Sequence, residues 1–283
     1  MPGNRPDMLE GAGDFSADAL IPDLEDSVPD GEKGRAREIV RERLGTLARR
    51  GQAVIPRINA LDTGLTRDDL AAVVTPQIYG IAFGKVASPW DVMQVSDILE
   101  GIERDAGIPI GQTRLIPWLE NSKAVVRAYE IASASPRILG VTFGAEDFTD
   151  DMGVKRTDEG SELAYPRAAV AVAARAAGVL AFDTPQTNFR DTQALERDIQ
   201  IALTLGFKGK FAIHPGQLDT INTLFSPSQN EVEYARRVIK VFEEAEAKGS
   251  GATSLDGKLI DVPVVKRARA LVQIANALAQ KQW

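Results

Sequence analysis

The chain has 283 residues, with 33 Lys plus Arg against 40 Asp plus Glu, and its formal net charge of −7 disfavours nucleic acid as a partner. At 44% hydrophobic and 26% charged it has a globular composition, and a chain of this length can bury a substantial core. Cysteine is absent and His214 is the single histidine, which excludes disulfides, thiolate zinc sites and His-His metal sites. A Ser-His-Asp arrangement would have to rest on His214 alone.

No uncharged apolar run approaches the roughly 20 residues needed to cross a bilayer, so no membrane span is expected. The opening MPGNRPDMLEG has neither signal-peptide nor transit-peptide character, and a cytoplasmic location is the expectation.

In chain order, Pro2-Gly3-Asn4 precedes a helix-like stretch at 7–14. An apolar run at 19–24 (ALIPDL) is followed by a charged helix at 32–50 that ends at Gly51, a C-cap position. Residues 53–58 (AVIPRI) lead to a short helix opened by Thr66, and 78–83 (IYGIAF) to a helix entered at Pro89. The runs at 114–119, 138–143, 179–182 and 210–213 repeat the pattern, each trailed by a helix. These runs are continuously apolar rather than alternating, as parallel strands covered on both faces require. About seven βα units result.

An open doubly wound sheet and a closed barrel both fit alternating βα units. The stretch before residue 19 reads as the end of a βα loop, and restoring its strand brings the count to the eight of a TIM barrel. The expectation is therefore a (β/α)8 TIM barrel over residues 1–228, its first strand cut short at Met1, and a C-terminal part over 229–283. The latter holds a long helix at 231–248, a flexible Gly/Ser/Asp-rich link at 249–263 and a closing amphipathic helix.

In such barrels the site lies at the C-terminal ends of the strands. The polar residues there are Glu25, Asp26, Arg57, Asn59, Lys85, Glu120, Glu146, Asp147, Asp183 and His214. Carboxylates without His or Cys suit a hard divalent cation such as Mg²⁺, with Mn²⁺ as an alternative. Glu120 and Asp147 close consecutive strands and form the best pair, although Asp147 reads equally as a helix cap and Glu120 as half of a surface salt bridge. Arg57 reads either as an anion-binding fork at the mouth or as a structural partner of Glu25 or Asp26. Lys85 lies among acids that raise its pKa, which disfavours Schiff-base chemistry. His214 reads as a hydrogen-bonded structural residue. Arg5, Lys33 and Arg37 are the cations within reach of phosphates, with a solvated helix face as the alternative for the latter two.

The segments PGNRPDMLE, ADALIPDLEDSVPDGEKGRAR, IPRIN, GKVASPWDV, IPWLEN, GVTFGAEDFTDDMG, YPRAAVAVAARAAG, FAIHPGQ and SLDGKLIDVPVVKRA resemble, in order, the citrate lyase β-subunit and malyl-CoA or citramalyl-CoA lyase family of the 2-oxoacid aldolase superfamily. The resemblance covers essentially the whole chain. It implies a Mg²⁺-dependent barrel that cleaves or forms a carbon-carbon bond between an acyl-CoA and a 2-oxo acid, assembled as a homotrimer or hexamer. It also implies Glu120 and Asp147 as metal ligands, Arg57 as the cation stabilising the enolate oxygen, and Asp261 as acid/base on a mobile C-terminal lid. Glu25 and Asp26 match the family's acidic pair beside the metal, and Lys85 and Glu120 fall in the substrate-binding set. The YPRAA element and the lid favour a CoA ester over a free 2-oxo acid, and a subunit acting on a carrier-bound thioester is a further reading. Gly84 stands where a proline commonly precedes the lysine.

Overall fold

The protein is described by a computed structural model covering residues 1–280. It divides into two compact units, Met1–Ile221 and the residues from Asn222 onward.

The first unit alternates short strands with helices: α1 (Pro6–Ala12), β1 (Ala19–Leu20), α2 (Lys33–Leu47), β2 (Ala53–Val54), β3 (Arg57–Ile58), α3 (Thr66–Val73), β4 (Gly80–Phe83), α4 (Pro89–Ala106) and β5 (Arg114–Leu119). It continues through α5 (Ser122–Val126), α6 (Ala128–Ala132), β6 (Gly140–Phe143), α7 (Ala145–Asp151), α8 (Ala164–Ala177), β7 (Leu180–Asp183), α9 (Thr192–Leu205), β8 (Gly209–Lys210) and α10 (Leu218–Phe225), which contains the boundary. Every strand pair in this unit is parallel. The run at 53–58 is split because Pro56 has no N–H to give the ladder, yet its carbonyl still accepts from Ala82 N at 2.9 Å.

The ladder runs from β1–β2 through β3-β4-β5-β6-β7-β8, joined by a bridge from Asp23 to Arg57. Met1–Gly3 extends it at the other edge, where Asp23 N donates to Met1 O at 2.8 Å and Gly3 N to Asp23 O at 2.7 Å. These residues occupy the place of the strand expected before residue 19. Among the described residues no backbone hydrogen bond joins this edge to β8. The sheet is nonetheless curled, since Trp118 on β5 meets Phe211, just past β8, edge-to-face with centroids 4.9 Å apart. Ile55, Ala82 and Ile116 form a buried cluster with Trp118, Leu139 and Phe182 packed against it. No helix among the described residues is long and apolar enough to cross a membrane.

The second unit contains α11 (Gln229–Glu246), β9 (Thr253–Leu255), β10 (Lys258–Ile260) and α12 (Val262–Gln280). Ala235, Val238 and Phe242 of α11 pack with Ile260, Val265 and Ala268, so the apolar stripe of α11 is a core-forming face. The stretch expected as a flexible link forms an antiparallel hairpin instead. Asp256 (φ 51°) and Gly257 (φ 76°) make its two-residue turn, an Asp-Gly pair suited to two successive positive φ angles.

Candidate active site

The site is assembled where β1, β3, β4, β5 and β6 run out into their loops. Arg57 begins β3, and its guanidinium meets three carboxylates. Nε donates to Asp23 Oδ1 at 2.7 Å and Nη2 to Asp23 Oδ2 at 2.5 Å, while Nη1 lies 3.0 Å from Glu25 Oε2 and 3.3 Å from Asp26 Oδ2. Arg57 also sits over the Trp118 ring, 4.9 Å from its centroid. Arg57 is thus an ion-pair partner of Glu25 and Asp26, as one of its two readings expected, but its main partner is Asp23. Sequence reasoning passed over Asp23; the signal was an acid inside the otherwise apolar run ALIPDL, on the same side of the strand as Glu25.

Lys85 follows β4 and Gly84. Its main-chain N–H donates to Glu120 Oε1 at 2.6 Å, and its ammonium lies 3.1 Å from Asp26 Oδ1 and 3.6 Å from Glu25 Oε1. Burial would lower the Lys85 pKa, but Asp26 and Glu25 outweigh it and raise it, so the amine stays protonated. A recess of about 150 Å³ adjoins this loop, lined by Leu61, Asp62, Gly84, Lys85 and Asp91 among others.

Glu120, at the end of β5, is 2% exposed, and its Oε2 has no hydrogen-bond partner. Both oxygens of Glu25, equally buried, also lack one. Burial, reinforced by the charge of Asp147, pushes Glu120 up to about 8, and burial with the charge of Asp26 pushes Glu25 up to about 7 against the pull of Arg57. Asp147, half-buried in the first turn of α7, is raised by burial and by Asp26. Asp23 goes the other way: burial opposes ionisation, but the hydrogen bonds and charge of Arg57 bring it down to about 2.

Two glycines make room for Glu120. A Cβ on Gly84 would overlap Glu120 Oε1 and lie 3.1 Å from Glu25 Oε1, and one on Gly144 would lie 2.6 Å from Glu120 Oε2. Gly84, which stands where the family resemblance leads one to expect a proline, thus leaves room for both carboxylates. Asn121 braces the end of β5, its side chain donating to Val86 O at 2.9 Å and accepting from Ala124 N at 2.9 Å.

Among the described residues no three His, Cys, Asp or Glu side chains are grouped so as to hold a metal by themselves. Two carboxylates suffice for Mg²⁺, which keeps water and substrate oxygens in its other positions. Buried, unpartnered carboxylate oxygens with raised pKa values mark a site deficient in positive charge, so Glu120 with Asp147 fits such an ion.

Other expected residues lie elsewhere. Lys33, read as a phosphate contact, is buried, and its ammonium donates to the carbonyls of Leu24 (3.0 Å) and Glu25 (2.8 Å), bracing the acidic loop from beneath. Arg37 pairs with the buried Asp69 at 2.6 Å, which itself accepts from Asn59 N and Nδ2. Arg5 is exposed and pairs with Asp7 at 2.8 Å. Arg167 of the YPRAA element is buried in a network with Asp183, Asp198 and the Lys210 amine, which withdraws both it and Asp183 from the loops. Glu146 pairs with Arg156. His214 is exposed, accepts from Gly216 N at Nδ1 (3.0 Å) and stacks on Phe189 at 4.7 Å. In the second unit, Asp261 Oδ1 accepts from Val264 N at 3.2 Å at the start of α12.

Comparison with known proteins agrees with this chemistry. The chain is 40% identical to the citrate lyase subunit beta of Leuconostoc mesenteroides subsp. cremoris, over 98% of this chain and 92% of that protein. It is 32% identical to an L-malyl-CoA/beta-methylmalyl-CoA lyase of Cereibacter sphaeroides, over 98% and 93% respectively. Among solved structures it is similar to CitE of Mycobacterium tuberculosis in complex with magnesium, acetoacetate and coenzyme A, at 27% identity and a TM-score of 0.79, covering 98% of this chain and 96% of that one. Residues 1–215 match the HpcH/HpaI aldolase/citrate lyase family, and with full-length relatives at this identity the chain belongs to that family of lyase enzymes.

Proposed function

We propose that this protein is a Mg²⁺-dependent carbon-carbon lyase that cleaves, or forms, a 3-hydroxyacyl-CoA of the malyl-CoA or citramalyl-CoA type, giving an acyl-CoA and a 2-oxo acid. The observation that carries this reading is the buried Glu120 oxygen without a hydrogen-bond partner, set at the same strand ends as the Glu25–Arg57 ion pair of 3.0 Å. Support comes from the malyl-CoA lyase likeness and from the magnesium and coenzyme A of the CitE complex.

Glu120 and Asp147 would hold the metal, with Glu25 and Asp26 beside them. The bound ion would supply Lewis-acid polarisation of the substrate's hydroxyl and carboxylate oxygens. Loss of the hydroxyl proton breaks the bond to the neighbouring thioester α-carbon, leaving a 2-oxo acid and a thioester enolate. Arg57 donates to the enolate oxygen as its charge grows, which lowers the barrier because that interaction is stronger in the transition state. Asp261 is assigned, on the strength of the family resemblance, as the acid/base that takes the hydroxyl proton and delivers a proton to the enolate carbon, so that no net proton is gained or lost. Arg5 is retained as a phosphate contact for CoA, while Lys33 and Arg37 are committed elsewhere. The curled parallel sheet is read as a closed (β/α)8 barrel, and a homotrimer or hexamer as its assembly.

A second reading is favoured by the higher identity to a citrate lyase subunit beta: the same chemistry on a thioester attached to a carrier protein. Purified protein with Mg²⁺ should be tested against a panel of 3-hydroxyacyl-CoA esters, reading 2-oxo acid release, with and without an acyl-carrier protein. Release from malyl- or citramalyl-CoA is expected. Turnover only with the carrier selects the second reading, and none in either arm overturns both.

A further inference from the structure

We infer that Asp23 is the positioning residue of this site: one buried carboxylate sets the orientation of the Arg57 guanidinium and holds the Glu25–Asp26 loop in register with it. This rests on the reading of Arg57 as the donor to the developing enolate oxygen.

Asp23 is 5% exposed, and its two oxygens collect donors from two directions. From β3 come Arg57 Nε at 2.7 Å and Nη2 at 2.5 Å. From its own loop come Glu25 N at 2.9 Å, Ser27 N at 3.2 Å and Ser27 Oγ at 2.5 Å. The Asp23 main chain is fixed as well, since it bridges Pro2 on one side and Arg57 on the other. A two-point contact in the plane of a guanidinium defines its direction, whereas a single charge nearby does not. Trp118 covers one face of the same group.

Neutralisation alone does not account for Asp23. Glu25 and Asp26 already approach Arg57 Nη1 at 3.0 and 3.3 Å, so the cation has counter-charges without it. What they do not supply is the second edge of the fork. With Asp23 gone, the guanidinium is free to turn onto Glu25 and Asp26, towards the carboxylates placed beside the metal and away from the substrate. Asp23 thus keeps the anion-binding group and the acidic loop apart in function while tying them together in space.

The test is a double-mutant cycle on malyl-CoA with Mg²⁺. Asp23→Asn should lower kcat about 10- to 100-fold with KM changed less than about threefold, because a transition-state contact is lost. In an Arg57→Lys background the same substitution should cost less than about threefold, since the fork it orients is already gone. Equal losses in both backgrounds would overturn the inference. A second readout needs no turnover: solvent exchange of the Arg57 Nε–H, followed by ¹⁵N NMR, should be slow in the wild type and at least about tenfold faster in Asp23→Asn. Unchanged exchange overturns the positioning role even if the wild type proves inactive on every thioester, an outcome that would defeat the functional reading separately. Should Asp23→Asn fail to fold, Ser27→Ala removes one anchor of the carboxylate from an exposed position. A smaller fall in kcat with faster Nε–H exchange is then expected, and no change in either would count against Asp23.

Discussion

The main-chain N–H of Lys85 reaches Glu120 Oε1 at 2.6 Å, and Lys85 adopts a φ of 57° at the point where it does so. A left-handed non-glycine residue costs about 1 kcal/mol or more, which the surrounding structure must offset. The arrangement engages one oxygen of Glu120 and leaves Oε2 without a partner.

Gly84 is the clearance on which this contact depends. Gly84→Ala would set a Cβ against Glu120 Oε1 and 3.2 Å from Glu25 Oε2. Overpacking of this kind costs about 1–3 kcal/mol. The expected result is a lower urea midpoint together with at least about tenfold weaker Mg²⁺ binding by calorimetry, since Glu120, the proposed ligand, is displaced. Wild-type Mg²⁺ affinity in Gly84→Ala would show that the space is not needed.

The raised carboxyls make stability depend on pH in a defined direction. Glu120 at about 8 and Glu25 at about 7 both lie above their ordinary value of 4.5. The folded state therefore binds more protons than the unfolded chain between roughly pH 4.5 and 8, and metal-free stability falls as pH rises through that window. Glu120→Gln should flatten the upper part of this decline. Since ligands bind a metal deprotonated, the Tm gain on adding Mg²⁺ should grow from pH 6 to 9 in the wild type and largely vanish in Glu120→Gln. A Mg²⁺ shift independent of pH would contradict the assignment of Glu120 as a ligand.

Arg57→Lys keeps a positive charge but cannot reproduce the two-point contact with Asp23 at 2.7 and 2.5 Å. A loss of about 10²- to 10³-fold in kcat is expected, with KM little changed, the scale seen when one oxyanion donor is removed. Steady-state kinetics on the thioester that the wild type turns over decides it; a wild-type kcat leaves Arg57 a structural ion pair.

The buried network of Arg167, Asp183, Asp198 and Lys210 joins two strands to two helices and accounts for the withdrawal of Arg167 from the loops. The Lys210 ammonium meets Asp183 Oδ2 at 2.6 Å and Asp198 Oδ2 at 2.5 Å, and its side chain is fully buried. Lys210→Met should destabilise by about 3–5 kcal/mol, because it leaves carboxylates buried with one cation too few. Urea denaturation measures this, and a change below about 1 kcal/mol would mean that Arg167 alone satisfies both acids.

For Asp261, Asn preserves the acceptor that Val264 N uses but removes the acid. Asp261→Asn should keep the Tm within about 2 °C, corresponding to less than roughly 1 kcal/mol, while removing most turnover. Mixing inactive Asp261→Ala with inactive Glu120→Ala under subunit exchange should restore part of the activity if one chain's Asp261 serves another chain's metal site. No recovery despite demonstrated exchange places Asp261 in its own chain's site.

The alternation of helices with continuously apolar runs was legible because it is a local property: a run such as RLIPWL needs cover on both faces, wherever it ends up. The absence of Cys and the lone His214 likewise limited the site to oxygen ligands before any folding was considered. Rim positions such as Glu25, Arg57, Lys85 and Glu120 followed from the ends of those runs. The tertiary structure alone decided which of them meet. Asp23 and Arg57 are 34 residues apart and come together only through parallel pairing, and so do Glu120 and the N–H of Lys85, 35 residues apart. Lys33 and Arg167 carry the same charge as Arg57, yet burial against carbonyls or buried acids turned them inward. An unpaired charge is too costly to bury, so each cation settles on the partner its position in the fold offers: for Arg57 an acid 34 residues away, for Lys33 the carbonyls of a nearby loop.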